Sequence, residues 1–327
     1  MCFGGSILNF FEGKRVLITG ANGFLGSHIL ERLLEFNADL YIILRESSDL
    51  WRIEDYLGSV NVYYADIRDL DDVSNCIRKI KPEIIFHMAA YGVDARKNNI
   101  YEAIDTNIIG TVNLLHAIGK IGCEKFVNTG TSMQYGNKVG LIDENSNYTP
   151  NNIYGSTKAA STILAHQIAN EMDVDITTII PFGIFGEKEG SHKLFTQVIL
   201  SILHHKEVRL TPCFQQRDYC YVENIVNGFI MAANTDKTRD MILNIGSGIT
   251  FPLRYYIELI VKEMNMEAKI NYGALEYRKN DLWNPRVSVD KIKKVLGWHP
   301  EISLEEGIKK TVEWYKNNYY YYDVRGR

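Results

Sequence analysis

A tyrosine and a lysine four residues apart, Tyr154 and Lys158, stand in the segment "NIYGSTKAAS" at 152–161. The segment reads as the first turns of a helix, in which side chains at i and i+4 lie about 5 to 6 Å apart at Cβ. An ammonium that close to a phenol favours the phenolate, so the pair could exchange a proton near neutral pH. The same spacing also arises by chance between two ordinary residues on a solvated helix face. Other features of the sequence are needed to distinguish a reactive pair from this alternative.

The elements that must position such a pair are predicted from short apolar runs that alternate with helix-length amphipathic stretches. Continuous β-branched runs separated by helices are typical of a parallel sheet that is buried on both faces. The sequence therefore predicts a doubly wound α/β sheet of the Rossmann type. The predicted strands are 15–19, 40–44, 62–65, 84–89, 125–129 and 176–180, and a later one lies near 242–246.

Beyond residue 180 the alternation loosens, which predicts a smaller, mostly helical part. We expect residues 1–180, with a return segment at about 223–246, to bind a dinucleotide. Residues 181–222 and 247–327 are expected to form the substrate-binding domain.

The composition excludes several classes of protein. The 327 residues carry a formal net charge of -4, which argues against a general nucleic-acid binder. The five cysteines are scattered and form no C-x-x-C pattern, so we expect reduced thiols, no zinc or other metal site and a cytoplasmic protein. No secretory signal is evident and no apolar run is long enough to cross a membrane.

Three glycines follow the first predicted strand and open a helix: Gly20, Gly23 and Gly26. In this context backbone N–H groups can approach a pyrophosphate closely at the positive end of the helix dipole. The spacing is G-x-x-G-x-x-G, a variant of the usual dinucleotide fingerprint. The alternative interpretation is a plain glycine-rich turn.

The residues that follow the next two strands indicate which dinucleotide fits. Arg45, helped by Ser47 and Ser48, stands where an acidic residue would bind a ribose 2′-hydroxyl, so it predicts NADP(H), with NAD possible. A solvated loop arginine is the alternative. Asp66 ends the following strand and could accept a hydrogen bond from the adenine amino group, or it could be a helix N-cap.

Motifs along nearly the whole chain resemble the extended short-chain dehydrogenase/reductase family, in its nucleotide-sugar branch of epimerases, dehydratases and 4-ketoreductases. They include "VLITGANGFLGSHI", "IIFHMAA", "DTNIIGTVNLLHA", "GTSMQYG", "YGSTKAA", "PFGIFG" and "LTPCFQQRDYCYVENI". The resemblance implies that Tyr154 exchanges the proton. It also implies that Lys158 holds the nicotinamide ribose and lowers the pKa of Tyr154, and that Thr131 bonds the reacting sugar oxygen.

The resemblance assigns further positions. Arg217 is expected to bind the substrate's diphosphate, with a structural ion pair as the alternative. Asn107 is expected to support the active site, although an ordinary buried asparagine fits equally well. Substrate contacts are expected from Thr131, Ser132 and Met133. The residues expected to bind the cofactor are Gly20, Asn22, Gly23, Phe24, Leu25, Gly26, Arg45, Ser47, Asp66, Ile67, Ala89, Ala90, Lys158 and Pro181.

Three positions depart from the family pattern. Ile180 stands where Arg is frequent, Gly183 where many members have Asn, and Asn224 where Asp is common. The second departure leaves the substrate contacts of that loop open.

The loop Thr131-Ser132-Met133 bears on the reaction. A 4,6-dehydratase carries an acidic residue after the threonine, and the thioether of Met133 cannot act as a base. A 4-epimerase usually has an acidic residue where Arg45 stands. We therefore expect an NADPH-dependent reductase of a nucleotide-linked 4-keto-6-deoxyhexose in deoxysugar biosynthesis, with a 4-epimerase as the alternative. A dehydratase or a non-catalytic NADP-binding protein fits less well. The family's habit of packing helices like 101–119 and 155–171 implies a homodimer.

Overall fold

The computed structural model describes residues 10–94, 96–277 and 283–323. Its strands are β1 (Arg15–Thr19), β2 (Asp39–Leu44), β3 (Asn61–Tyr64), β4 (Ile84–His87), β5 (Lys125–Thr129), β6 (Gly140–Ile142), β7 (Ile176–Pro181), β8 (Gly183–Phe185), β9 (Val208–Leu210), β10 (Gln216–Arg217), β11 (Tyr219–Tyr221), β12 (Met241–Ile245), β13 (Phe251–Pro252), β14 (Ile270–Tyr272) and β15 (Pro285–Val287).

The helices alternate with these strands in the first half of the chain and predominate later. They are α1 (Phe24–Leu34), α2 (Leu70–Ile80), α3 (Ile100–Ile104), α4 (Gly110–Gly119), α5 (Ile153–Glu171), α6 (Leu194–Leu203), α7 (Val222–Ala233), α8 (Leu253–Met264), α9 (Asp290–Leu296), α10 (Leu304–Asn318) and α11 (Tyr320–Asp323).

Seven strands form one parallel sheet in the order β12-β7-β5-β4-β1-β2-β3. The strand order reverses between β1 and β4, which are neighbours in the sheet. In doubly wound sheets ligands bind at this switch point, beyond the carboxyl ends of the strands. The predicted doubly wound α/β fold is confirmed.

Helices bury both faces of the sheet, and each face has its own apolar core. On one face β1 residues such as Ile18 pack with α1, through Ile29, and with α7, through Phe229. On the other face Leu17 packs with α4, through Leu114, and with α2 and α5. Since strand side chains alternate between faces, the apolar runs have to be continuous, as the sequence showed.

A single π-helical turn, Asp105–Ile109, joins α3 to α4 without a break. Such turns place an extra residue in a helix and frequently occur at functional sites. Here the turn contains Asn107, whose side chain is fully buried. The π turn therefore directs an amide toward the helix that carries Tyr154.

The later part of the chain adds helices, and the described residues outside the main sheet form four two-stranded sheets, β8 with β11, β9 with β14, β10 with β13 and β6 with β15. The sequence indicated mostly helices here. Strands of two or three residues are too short to show a period of two, which is why the small sheets were not predicted.

The tyrosine run near the end of the described chain is built into the core. Tyr322 is buried, its ring centroid lies 5.5 Å from that of Trp51, and its hydroxyl donates to the Glu189 carbonyl at 2.6 Å.

Across the described part of the chain, none of the helices combines the length and the apolar character needed to cross a bilayer.

Candidate active site

The glycine turn after β1 leads directly into α1. Gly23 is the N-cap of α1 and, having no side chain, leaves the first N–H groups of the helix without a side-chain acceptor. No acidic residue lies in the first turn, which contains Phe24, Leu25 and Gly26. The positive end of α1 is thus available to an anion such as a pyrophosphate.

Two of the glycines are required by close backbone contacts. Gly20 has φ +70°, and a Cβ there would lie 2.6 Å from the Ala89 nitrogen. A Cβ on Gly26 would overlap the Gly20 carbonyl oxygen. The turn is therefore packed against the end of β4, and only glycine fits at either position.

Arg45 follows β2 and is exposed. Its guanidinium is in none of the ion pairs of the three described stretches of chain, although its charge helps to lower the pKa of Asp66. Ser48 accepts a hydrogen bond from the Arg45 backbone at 3.0 Å and so shapes the turn, while Ser47 is exposed beside it. These contacts suit the predicted role of Arg45.

Asp66 follows β3, and both of its carboxylate oxygens accept hydrogen bonds from the Arg68 guanidinium at 2.5 to 2.9 Å. That pairing lowers the pKa of Asp66. The N-cap of α2 is Asp69, not Asp66, so the alternative interpretation of Asp66 as a cap is wrong. The local pairing with Arg68 was not predicted.

Other residues predicted to bind the cofactor lie at or near strand ends. The Ala89 N–H approaches the Thr19 hydroxyl at 3.4 Å, and Ala90 follows it. Ile67 is buried against Gly110, and Pro181 ends β7. Asn22 lies in the glycine turn and donates its amide to the Asp49 carbonyl at 3.1 Å.

The loop after β5 contains Thr131, which caps a short 3-10 turn, Ser132–Tyr135. Its hydroxyl accepts the Met133 N–H at 3.3 Å, and its own N–H donates to Gln134 at 2.7 Å. Gly155 lies directly against the Met133 carbonyl, so this loop packs on the start of α5. The Met133 side chain is 46% exposed.

Helix α5 begins at the cap Asn152, whose side chain accepts the Gly155 N–H at 2.8 Å. Tyr154 lies in its first turn and forms a side-chain hydrogen bond with Thr131. Lys158 is buried one turn later. The structure thus brings Tyr154 to Thr131 and places Lys158 one turn further along the same helix.

Burial sets the charge states of this group. It raises the pKa of Tyr154 to about 12, and the bond with Thr131 opposes that rise only in part. Burial also lowers the pKa of Lys158 to about 8. The protein's own groups therefore keep Tyr154 a neutral acid at pH 7, because a phenolate is poorly solvated there. The expected lowering of the Tyr154 pKa requires a further positive charge.

Asn107 connects α5 to the loop after β4. Its side-chain oxygen accepts the Tyr91 N–H at 2.8 Å, and its amide donates to the Tyr91 carbonyl at 3.0 Å and to the Thr157 hydroxyl at 2.9 Å. These contacts fit the predicted supporting role.

Sequence reasoning missed the neighbouring His87, which is hydrogen-bonded to Thr19 at 2.7 Å. Its only signal was a polar residue inside an apolar strand.

Arg217 ends β10 and donates to the Gln216 carbonyl at 2.7 Å. The adjacent Asp218 is buried and accepts backbone N–H groups from Ser247 and Gly248 at 2.8 and 2.7 Å. Asp218 therefore holds the strand, which presents the neighbouring arginine.

The departures from the family pattern have structural reasons in two cases. A Cβ on Gly183 would overlap the Asp218 carbonyl oxygen, so no asparagine fits there. Asn224 accepts the Glu301 and Ile302 N–H groups at 3.0 Å each and donates to the Ile302 carbonyl at 2.8 Å. Ile180 is fully buried in β7.

The sequence profile of the family described as "GDP-mannose 4,6 dehydratase" matches residues 17–311. A UDP-glucuronate 4-epimerase from Thermodesulfobacterium geofontis is 29% identical over 314 residues, covering 92% of this chain and 96% of that protein.

Solved structures give the same picture of the fold. The UDP-glucose 4-epimerase of Thermotoga maritima, solved with UDP-glucose, has a TM-score of 0.83 at 26% identity and covers 93% of this chain and 99% of its own. DesIV, a dTDP-glucose 4,6-dehydratase of Streptomyces venezuelae solved with NAD and TYD, has a TM-score of 0.84 at 22% identity, covering 94% and 98%.

Proposed function

Because this chain belongs to the family described as GDP-mannose 4,6 dehydratase, among the extended short-chain dehydrogenase/reductase enzymes of nucleotide sugars, we propose that it is a 4-ketoreductase. Its substrate is a nucleotide-linked 4-keto-6-deoxyhexose, and its reductant is NADPH. Nicotinamide-dependent chemistry on a nucleotide sugar is the coarser conclusion, which rests on the family. Reduction at C4 is the finer proposal, which rests on this chain's own residues.

The observation that carries the finer proposal is the side chain after Thr131-Ser132. A dehydratase needs a general acid or base there to move protons at C5 and C6, whereas Met133 offers only a thioether. Met133 is half exposed beside the start of α5 and so stands where such a group would act. A ketone reduction needs no second acid or base.

Arg45 supports NADPH as the reductant. A guanidinium forms forked hydrogen bonds with a phosphate, and this one is exposed and is in none of the ion pairs of the described residues. The uncapped start of α1 and the Gly20–Gly26 turn would hold the pyrophosphate. The Tyr154 and Lys158 pair would face the nicotinamide end.

The proton and hydride needed for the reduction come from separate groups. The dinucleotide, when bound, supplies a hydride to the carbonyl carbon. Tyr154, kept protonated by its raised pKa, gives its phenolic proton to the carbonyl oxygen. Thr131 orients that oxygen, and Lys158, protonated at pH 7, stabilises the phenolate that remains. Arg217 binds the diphosphate of the substrate.

The division of labour along the chain is part of the proposal. Residues 1–180, with 223–246, hold the dinucleotide, and 181–222 with 247–327 hold the sugar nucleotide.

Exposed apolar side chains on α3 and α5, among them Tyr101, Ile163 and Leu164, suit packing against a second copy. Sedimentation should then report a particle of two 37.4 kDa chains.

A 4-epimerase is the second candidate. Two of the similar proteins are named 4-epimerases, and the DesIV structure contains NAD. An epimerase begins by oxidising its sugar and needs Tyr154 as a base, so it would depend on the positive charge of an oxidised nicotinamide to offset the raised pKa of Tyr154.

The test is turnover. The protein is incubated with NADPH and nucleotide-linked 4-keto-6-deoxyhexoses on several carriers, and loss of nicotinamide absorbance is followed with mass spectrometry of the product. We expect oxidation of NADPH and a product that has gained two hydrogens. Tyr154→Phe should lower kcat by about 10³-fold, and Tyr64→Phe, an exposed control on β3, should leave it unchanged.

Two results would contradict this. No oxidation with any ketosugar, together with interconversion of glucose and galactose nucleotides, would establish the epimerase. Unchanged turnover in Tyr154→Phe would leave a protein that binds the dinucleotide without the proposed chemistry.

A further inference from the structure

Four buried polar side chains form a row across the sheet, on the face that packs against α4 and α5. The strand register pairs Thr19 with His87, His87 with Asn128 and Asn128 with Thr178. All four are at most 1% exposed. The next residues inward on this face are apolar, Leu17, Ile85, Phe126 and Ile176. A polar row above an apolar core has to satisfy its hydrogen bonds with the helices above it.

A stripe of α5 lies over this row. Lys158, Thr162 and His166 are spaced i, i+4 and i+8, so they occupy one face of the helix. His166 is hydrogen-bonded to Thr178 at 2.9 Å, which fixes one end of the stripe above β7. Lys158 lies close enough to His87 for its charge to lower the pKa of that imidazole, which fixes the other end above β4.

The middle of the stripe therefore faces the middle of the row. Strand β5 lies between β4 and β7 and contributes Asn128, while α5 contributes Thr162 between its two fixed ends. Each of these residues carries a buried oxygen, Asn128 Oδ1 and Thr162 Oγ1, without a hydrogen-bond partner in the described part of the molecule. Two orphaned oxygens, one at the middle of the row and one at the middle of the stripe, are the pattern that a buried water resolves.

The other polar side chains near the row and the stripe have hydrogen-bond partners. His87 bonds Thr111 at 3.0 Å, and Ser161 bonds the same hydroxyl at 3.0 Å. The Asn128 amide donates to the Thr178 hydroxyl at 3.0 Å. Within the row and the stripe, the unsatisfied oxygens are those of Asn128 and Thr162, and Thr162 lies one turn after Lys158, whose amine forms no ion pair among the described residues.

We propose that Asn128 and Thr162 bind one ordered water molecule beneath Lys158, and that this water accepts a hydrogen bond from the Lys158 ammonium. The water donates its two hydrogens to Asn128 Oδ1 and Thr162 Oγ1. Neither acceptor can be protonated at ordinary pH, so the site favours the charged lysine. Asn128 and Thr162 are positioning residues for Lys158, and their importance for turnover rests on the proposed function.

Few other groups can influence the charge of Lys158. The titratable groups that face it in the described chain are His87, on β4, and Tyr154, one turn earlier on α5. Both stay neutral at pH 7, because burial lowers the pKa of His87 to about 3 and raises that of Tyr154 to about 12. Burial alone accounts for the lowered pKa of Lys158, so an added or lost acceptor there should be measurable.

The experiment measures the Lys158 pKa by NMR in cofactor-free protein with ¹³C-labelled lysine, and Lys158→Arg identifies the signal. Thr162→Val keeps the shape and removes one water partner. It should lower the Lys158 pKa by about one unit, a tenfold change in protonation. Thr311→Val, a buried helix threonine on α10, is the matched control and should leave it unchanged. Asn128→Asp should move the pKa in the opposite direction.

A structure at a resolution that shows waters should contain one between Asn128 Oδ1 and Thr162 Oγ1. An empty gap, or equal pKa values in wild type and both Thr162→Val and Asn128→Asp, would overturn the proposal. If Thr162→Val does not fold, the water and the Asn128→Asp shift decide. None of these readouts needs a sugar, so failure of the ketoreductase assay with a water present would refute the proposed function alone.

Discussion

The glycine turn after β1 and the loop 186–193 after β8 are held in place in opposite ways. The close packing of the turn is between backbone atoms, because Gly20 lies against Ala89 and Gly26 lies against the Gly20 carbonyl. The loop is held by side chains that lie far along the chain, since the Glu189 carbonyl accepts the hydroxyls of Tyr315 and Tyr322, 126 and 133 residues away. A local rule predicts the first region, and no local rule predicts the second.

The second region also contains a buried carboxyl. Glu189 is buried among these tyrosines, and one of its carboxyl oxygens has no partner in the described residues. Burial raises the pKa of Glu189 to about 8, although the charges of Lys193 and Arg52 oppose the rise. Loss of the Glu189 proton should therefore destabilise the loop, whereas the close contacts of Gly20 and Gly26 are between backbone atoms that do not titrate.

The largest expected effect tests the backbone region. In Gly26→Ala the new Cβ overlaps the Gly20 carbonyl oxygen, so the turn must open. We expect a loss of about 3 kcal/mol or more in the free energy of unfolding and loss of dinucleotide binding, measured by denaturant titration and calorimetry. Gly58→Ala, where nothing lies within 4 Å of the new Cβ, is the control. Equal losses in both would mean that backbone contact does not build the turn.

The next effect tests the buried carboxyl. The folded-state pKa of Glu189 is raised, so stability falls as pH rises from about 4.5 to about 8, where the unfolded chain ionises and the folded chain cannot. Glu189→Gln stays neutral, so its Tm should exceed that of wild type by about 2 °C or more at pH 8.5 and match it near pH 4.5. A pH-independent difference in thermal melting would count against a protonated Glu189.

A side chain at the edge of the backbone region should change selectivity and leave the fold intact. Arg45→Ala should weaken NADPH binding by about 30-fold, through loss of the charged contact to the 2′-phosphate, while NADH binding and Tm stay the same. Fluorescence titration with both cofactors measures this, and Arg209→Ala, an exposed arginine on β9, is the control. Equal weakening of both cofactors would contradict the assignment.

The smallest effect tests the side-chain region. Tyr322→Phe removes the hydroxyl that donates to the Glu189 carbonyl and should cost about 1 kcal/mol in the free energy of unfolding. Tyr320→Phe, half exposed, should cost nothing measurable. If chemical denaturation gave the two variants the same stability, the loop would not depend on this bond.

Sequence reasoning predicted the sheet, which the structure confirms, and proposed the Tyr154 and Lys158 pair from the same kind of local signal. Apolar runs with a defined period, a glycine turn and a Tyr-x-x-x-Lys spacing are all encoded within a few residues. It did not reach the hydrogen bond between Tyr135 and Asn244, which joins residues 109 positions apart at 2.8 Å. Nor did it predict the row Thr19–His87–Asn128–Thr178, because strand register brings these residues together.

The charge state of the site was also beyond the sequence. Spacing placed Lys158 beside Tyr154 and suggested an acidic phenol, but the effect of burial depends on everything packed around the pair. In the folded chain burial outweighs the bond with Thr131, and the pKa of Tyr154 rises. Helical periodicity predicts which residues are neighbours on one face, but it does not predict how far water is excluded from them.

The hydrogen bond between Tyr322 and Glu189 cannot form until the ribosome has translated the residues between them. A ribosome adding roughly 5 to 20 residues per second needs about 7 to 27 s to translate the 133 residues between the two partners. During that interval the glycine turn and its sheet partners have already emerged, while the loop 186–193 waits for its hydroxyl donors. Nascent chains stalled within this window should therefore be cut by proteases first at that loop.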